Sequence, residues 1–288
     1  MKNIIRTSLA VIACLSVQGV AYAADVVVTS GRSGGGYNTI GNRLSTVLAE
    51  QGLQTEVVTS VGSLENLNRL SDPENPANVG MTQADALRYF LIQNPGFAEK
   101  FMILGDIGKE CVFIITGEDS RIEDDGDLQD ESGDLIAVQD PNSGVAVTYE
   151  YMTILEPKFK NTAPAFVDGM EALLAMKSGG GNSKIKAVML VQRASARSDE
   201  MKVILESPDE YRFVPVKDWD LNDKLPDGSA VYTFEDVLIE KVDWGFDTKV
   251  DTICTRGLMI AAKDKLTPDQ RSRLARVMLL ASSRVLGE

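Results

Sequence analysis

The chain of 288 residues contains no histidine. That absence excludes Ser-His-Asp and Cys-His nucleophile systems, histidine acid–base chemistry and histidine-ligated metal centres, and with them the ordinary hydrolases. Long apolar runs are missing too. The stretch from Leu9 to Val17 is too short to span a bilayer, and no later run approaches the roughly 18 residues that a spanning helix requires. Lys2 and Arg6 precede it and Ala21-Tyr22-Ala23 follow, giving the charged, apolar and small-residue regions of a secretory leader. The protein is expected to be exported to the periplasm and cut after Ala23. Val11-Ile12-Ala13-Cys14 matches a lipoprotein cleavage site only loosely, because the apolar stretch before it is very short.

Positive charge is scarce. Lys and Arg number 29 against 42 acidic residues, for a net charge of −13, and leader removal takes away two more positive groups. A surface this acidic repels nucleic acid and anionic membranes, so neither is an expected partner. Cysteine is scarce as well: beyond Cys14 in the leader, only Cys111 and Cys254 remain. Two cysteines in an exported chain permit one bridge but do not make a framework.

Several motifs of catalysis and metal binding are absent. There is no Gly-x4-Gly-Lys-Ser/Thr phosphate loop. The acidic run Glu123-Asp124-Asp125-Gly126-Asp127 fails calcium-loop spacing, because it would place Arg121 at the first ligand position; it reads as a solvated loop. Ser183-Lys184-Ile185-Lys186 has Ser-x-x-Lys spacing but runs from a glycine-rich turn into a strand, and neither Ser-Asp-Asn nor Lys-Thr-Gly follows. No catalytic residue, metal ligand or cofactor is assigned.

What is present is an alternation of apolar runs and amphipathic segments. Strands are expected at 26–29, 53–58, 79–81, 101–104, 111–116, 135–138, 185–191 and 213–216. Helices are expected after the turn Ser30–Tyr37, with Ile40, Leu44, Val47 and Leu48 at helical spacing, from Ser63 with Leu64, Leu67 and Leu70 on one face, and after Thr82, where Thr82-x-x-Asp85 has capping-box spacing. Others carry Tyr151, Ile154 and Leu155 together, or cover 172–176. Near the end, Thr267-Pro268-x-Gln270 supplies N-cap, N1 proline and N3 glutamine, with Leu274, Val277, Met278 and Ala281 on the buried face. Residues 178–183 read as a flexible turn, and 217–246 show no clear pattern. The rhythm predicts an α/β fold of mostly parallel sheets flanked by helices.

Candidate binding residues cluster where strands hand over to helices. The first turn, Ser30-Gly31-Arg32-Ser33-Gly34-Gly35-Gly36-Tyr37, offers backbone N–H groups at a positive helix end. Val61-Gly62-Ser63 with Asn66, Pro141-Asn142-Ser143-Gly144-Val145, and Thr82-Gln83 repeat the placement. Ligands of open α/β sheets bind outside the carboxyl ends of the strands. Arg32, in the first turn, and Arg193, after the strand 185–191, could clamp a carboxylate. Arg32, Ser33, Gly36, Tyr37, Ser60, Gly62, Ser63, Asn66, Thr82, Gln83, Asn142, Ser143, Gly144, Val145 and Arg193 are therefore the candidate ligand-binding residues.

These segments together resemble the TAXI subgroup of the solute-binding proteins that serve TRAP transporters. The resemblance rests on 29–41, on Thr59-Ser60-Val61-Gly62-Ser63-Leu64-Glu65-Asn66-Leu67, on Val79-Gly80-Met81-Thr82-Gln83-Ala84-Asp85-Ala86, and on Pro141-Asn142-Ser143-Gly144. Residues 172–181 and 185–191 add a helix, small turn and strand, while 217–246 match weakly. Departures are Asn38 and Thr39 after Tyr37, where the family usually has paired tyrosines and a proline, and Arg32 in place of a small residue. The resemblance implies a two-lobed type II periplasmic-binding-protein fold. It also implies a small carboxylate ligand (an organic acid, or an acidic or amide amino acid), a membrane-embedded TRAP permease as partner, and a monomer that is not an enzyme.

The expected lobes are 24–109 with 257–288, and 110–256. They would hinge on crossing strands at 111–116 and 256–261. If those strands begin near Cys111 and Cys254 and run antiparallel, the two sulfurs lie roughly 20 Å apart, which predicts free thiols. Two rival readings keep the fold: a binding protein for an ABC importer or a sensor kinase, and an enzyme such as a small-acid dehydratase using Glu65, Asp85 or Asp140.

Overall fold

The computed structural model describes residues 24–130, 133–179, 184–241 and 247–287. The expected leader (1–23) and most of the turn at 178–183 lie outside the described residues.

Among the described residues, apolar β-branched runs pair into one sheet of ten strands: Val26–Thr29 (β1), Thr55–Val58 (β2), Val79–Gln83 (β3), Phe101–Gly117 (β4), Leu135–Ala137 (β5), Ala163–Ala165 (β6), Ile185–Gln192 (β7), Tyr211–Val214 (β8), Tyr232–Glu240 (β9) and Thr248–Ala262 (β10). The order is β2-β1-β3-β10-β4-β7-β5-β6, with β8 added to β4 and β9 to β10. One half, β2-β1-β3, is parallel, and so is the other, β7-β5-β6. Between them β10 and β4 run antiparallel to each other and to their outer neighbours. The helices are Gly36–Glu50 (α1), Ser63–Ser71 (α2), Ala84–Gln93 (α3), Gly144–Leu155 (α4), Gly169–Gly179 (α5), Asp199–Glu206 (α6), Pro268–Leu280 (α7) and Ser282–Leu286 (α8).

Strand alternation sorts the core by face. Val112 and Ile114 of β4, Ala187 and Met189 of β7, and Leu258 and Ile260 of β10 share one cluster with residues of α2, α3 and α4. That core runs unbroken across both halves of the sheet. On the opposite side the apolar residues divide in two: one cluster under α1 and α7 with Met81 and Met259, another under α5 and α6 with Phe113, Val188 and Leu190. The halves thus share a core on one face and keep separate cores on the other.

Several expectations need correction. The segments 101–104 and 111–116 are one strand of 17 residues, not two. Gly105, Asp106, Gly108 and Lys109 have turn-like chemistry, but β10 pairs with β4 from Phe101 through Cys111, across this stretch, and the ladder absorbs Leu104 and Ile107 as extra residues. The same pairing overturns the free thiols. Both crossing strands begin well before their cysteines, so Cys111 and Cys254 fall opposite each other in register, with Cα atoms 3.9 Å apart, and form a disulfide. The capping box at Thr82 does not form, because β3 runs on through Gln83 and the helix starts at Ala84. Asp85 instead turns inward and accepts from Thr148 Oγ1 at 2.7 Å and Tyr232 Oη at 2.9 Å. Within the acidic loop, Asp125 is buried and accepts the backbone N–H groups of Lys217 and Asp218 at 2.8 and 2.7 Å. The unread stretch at 217–246 holds β9, whose buried Val237 and Ile239 alternate with exposed or partly exposed neighbours. At the C-terminal helix the expected capping box is present in full, with Thr267 and Gln270 bonding reciprocally.

Candidate functional site

The carboxyl ends of β1, β3 and β7 and the amino ends of α1, α2 and α4 open onto a single cleft of about 510 Å3. Its size suits a small ligand. Arg32, Gly36, Tyr37, Gly62, Ser63, Gln83, Ser143, Gly144, Val145 and Arg193, all read from the sequence, line it. A larger cavity of about 670 Å3 lies at the far end of β4. Two ion pairs, Lys177–Glu210 and Arg121–Asp134, lie within its lining.

Three helix starts face this space. Gly35 and Gly62 occupy the N-caps of α1 and α2 and carry no side-chain cap, which leaves their first N–H groups without that competitor. Ser143 caps α4 by accepting from Ala146 N. The starts of α2 and α4 touch. A Cβ added at Gly62 would stand 2.8 Å from Gly144 N, and Gly62 has φ 149°, so both space and backbone demand glycine there. Glu65 N donates to Asn142 O across the same contact, at 3.3 Å. Gly144 in turn leaves room for the Gln83 amide, which a side chain at that position would strike.

Gln83 organises the floor. Its Oε1 accepts from Ser63 Oγ at 3.1 Å, and its Nε2 donates to Glu110 Oε2 at 2.9 Å. Glu110, on β4, is partly buried and lines the cleft. Burial pushes its carboxyl up to about 7, with the Gln83 amide, the Tyr37 hydroxyl and the Arg193 guanidinium pulling the other way. Tyr37 Oη is buried near Ser63 and Glu110 yet makes no protein hydrogen bond of ordinary geometry. Burial and the Glu110 charge both hold the Tyr37 hydroxyl protonated.

The arginines are less free than the sequence implied. Arg193 Nη2 donates to Ile107 O at 2.5 Å and lies against Gly108, where an added Cβ would stand 2.8 Å from Nη2 and where φ is 117°. Arg32 is half-exposed at the mouth, with Asp168 at 3.9 Å from the opposite half. Arg197, which also lines the cleft, donates to Ile239 O at 2.7 Å.

Five candidates do not line the cleft. Asn66 is buried, donating to Ser30 O at 2.5 Å and Met81 O at 2.7 Å, and so ties β1 to β3 from α2. Ser60 bonds Ser30 O and receives Gly62 N. Thr82 is buried, while Ser33 and Asn142 point to solvent. Sequence reasoning missed Glu110, Gln139, Gln192 and Arg197. Gln192 adjoins Arg193, Arg197 lies a turn beyond it, and Glu110 was hidden by the division of β4 into two strands. Among the carboxylates of the enzyme reading, Glu65 accepts from Val61 N and pairs with Arg69, Asp140 accepts from Asn142 N, and Asp85 is held as above; none lines the cleft.

No family profile and no curated relative matches the chain. Solved structures do. XAC2383 of Xanthomonas citri bound to ATP superposes with a TM-score of 0.53 at 13% identity, covering 90% of this chain and 84% of that one. CAE31940 of Bordetella bronchiseptica gives 0.52 at 16% identity, covering 90% and 69%. The arginine-, lysine-, histidine-binding protein ArtJ of Geobacillus stearothermophilus gives 0.50 at 13% identity, covering 91% of both chains.

The fold is that of the type II periplasmic binding proteins. Identities this low establish the shared fold and leave the ligand open.

Proposed function

We propose that this is an exported solute-binding protein that holds a small carboxylate between two lobes and passes it to a TRAP-type secondary transporter as a TAXI-like member. The observation that carries the reading is the convergence of the amino ends of α1, α2 and α4, with Arg193, on one cavity of about 510 Å3. Helix starts supply positive potential and N–H donors without catalytic side chains, which suits an anion that is bound and released unchanged. The proposed lobes, 24–109 with 257–288 and 110–256, divide within β4 and β10. Delivery to a TRAP permease, and not to an ABC importer or sensor kinase, is supported by the resemblance carried on 59–67 and 79–86.

A thermal-shift panel of dicarboxylates, acidic amino acids and sugars tests the ligand class. Carboxylates at about a hundred times their dissociation constant should add roughly 2.7 kcal/mol of stability. A shift with sugars alone overturns the carboxylate reading.

A further inference from the structure

The cleft contains a contradiction. Helix starts and Arg193 make it attractive to an anion, yet Glu110 places a carboxyl on its lining. The groups that face Glu110 come from every side. Gln83 donates to it from the end of β3; the Tyr37 hydroxyl approaches from α1; Arg193 stands beside it after β7; Asp85 adds negative charge from the start of α3. Behind it, β10 contributes the backbone of Gly257, where an added Cβ would lie 3.5 Å from Glu110 Oε1, and Thr255, directly opposite Glu110 in register, with a buried hydroxyl that has no protein partner. Lys109, the neighbouring residue, points away into a pair with Glu235 at 2.6 Å and does not neutralise it. Arg193 is the cation that acts on this carboxyl, and it is already shared with Ile107 O.

An incoming carboxylate and an ionised Glu110 would compete for Arg193 in one partly dry cavity. Two carboxylates so placed do not both stay ionised. We infer that Glu110 is the proton acceptor of this site and that an anionic ligand binds together with one proton taken up there. The proton comes from solvent, no covalent bond changes, and release of the ligand returns it. Protonated Glu110 can donate a hydrogen bond where the ionised group could only accept. The buried Tyr37 hydroxyl, without a protein partner of ordinary geometry, is left beside it to complete the ligand's contacts. Because the free carboxyl already titrates near 7, the uptake falls in the neutral range.

The inference rests on the carboxylate reading, and the test separates the two. Titration calorimetry with succinate and with L-glutamate, run between pH 6.5 and 8.5 in two buffers of different ionisation enthalpy, reads affinity and proton uptake together. Above about pH 7 the association constant should fall with rising pH, by up to tenfold per unit, with uptake approaching one proton. In Glu110→Gln, which mimics the protonated carboxyl, both the pH dependence and the uptake should vanish. Binding by wild type with no proton uptake overturns the role of Glu110 and leaves the carboxylate reading standing. Failure of both carboxylates to bind at pH 6.5, while glucose does bind, overturns the carboxylate reading and this inference with it.

Discussion

Single residues decide what the cleft can hold, and Arg193 is the most informative. Its guanidinium bridges the site and the crossing strand, so Arg193→Ala should weaken carboxylate binding by about 1.5–3 kcal/mol. It should also cost about 1–3 kcal/mol of fold stability, because Ile107 O loses its donor. Calorimetry and urea unfolding on the same variant separate the two effects; unchanged affinity with lowered stability would make Arg193 a purely structural residue. Glu110 yields a second prediction. Its carboxyl titrates higher in the fold than its ordinary value of 4.5, so the folded state binds the proton more tightly than the unfolded chain. Stability that is present below about pH 4.5 is therefore lost as pH rises toward 7. Relative to Glu110→Gln, wild type should lose on the order of 1–3 kcal/mol across that window, less any screening by solvent. Parallel pH profiles of the two proteins in urea unfolding would contradict this.

At the scale of elements, the crossing strands carry the structural argument. The disulfide between Cys111 and Cys254 closes a sequence separation of 143 residues. A loop of that length makes the bond worth roughly 2–5 kcal/mol, through the entropy it removes from the unfolded chain. Cys111→Ser should lower the urea midpoint accordingly, and thiol counting on the unfolded, unreduced mature protein should find none. Two free thiols on an intact monomer would contradict the register of β4 with β10. The same strands mark where sequence reading stopped. The parallel strands β1, β2, β3, β5 and β7 and the capped start of the C-terminal helix were legible, because capping residues, glycines and apolar spacing are local signals, whereas the short β6 and α6 were not read. The full length of β4 was not, since Gly105, Asp106 and Gly108 are held in the strand by β10, some 150 residues away in the chain. That one omission hid Glu110 and misplaced the cysteines. Residues such as Asn66 and Ser60 stand in the right turns, but burial turns their side chains to backbone carbonyls and away from the ligand space. Arg197, lying a turn beyond the strand end, gave no local signal of its place in the cleft.

Across the whole molecule, the uneven division of the core bears on how the protein would open. One face is a single apolar cluster through α2, α3 and α4, pinned by Asp85 to Thr148 and Tyr232; the other splits between the halves. Opening should therefore separate α1 from α5 and α6 about the crossing strands, and leave the α3–α4 side packed. The central claim is that the cleft so formed takes a small carboxylate. Native mass spectrometry of the purified protein, after incubation with an equimolar mixture of succinate, L-glutamate, glucose and putrescine, tests it most directly. The account predicts one retained carboxylate per chain, lost in Arg193→Ala; retention of glucose or putrescine, with neither carboxylate bound, would contradict it.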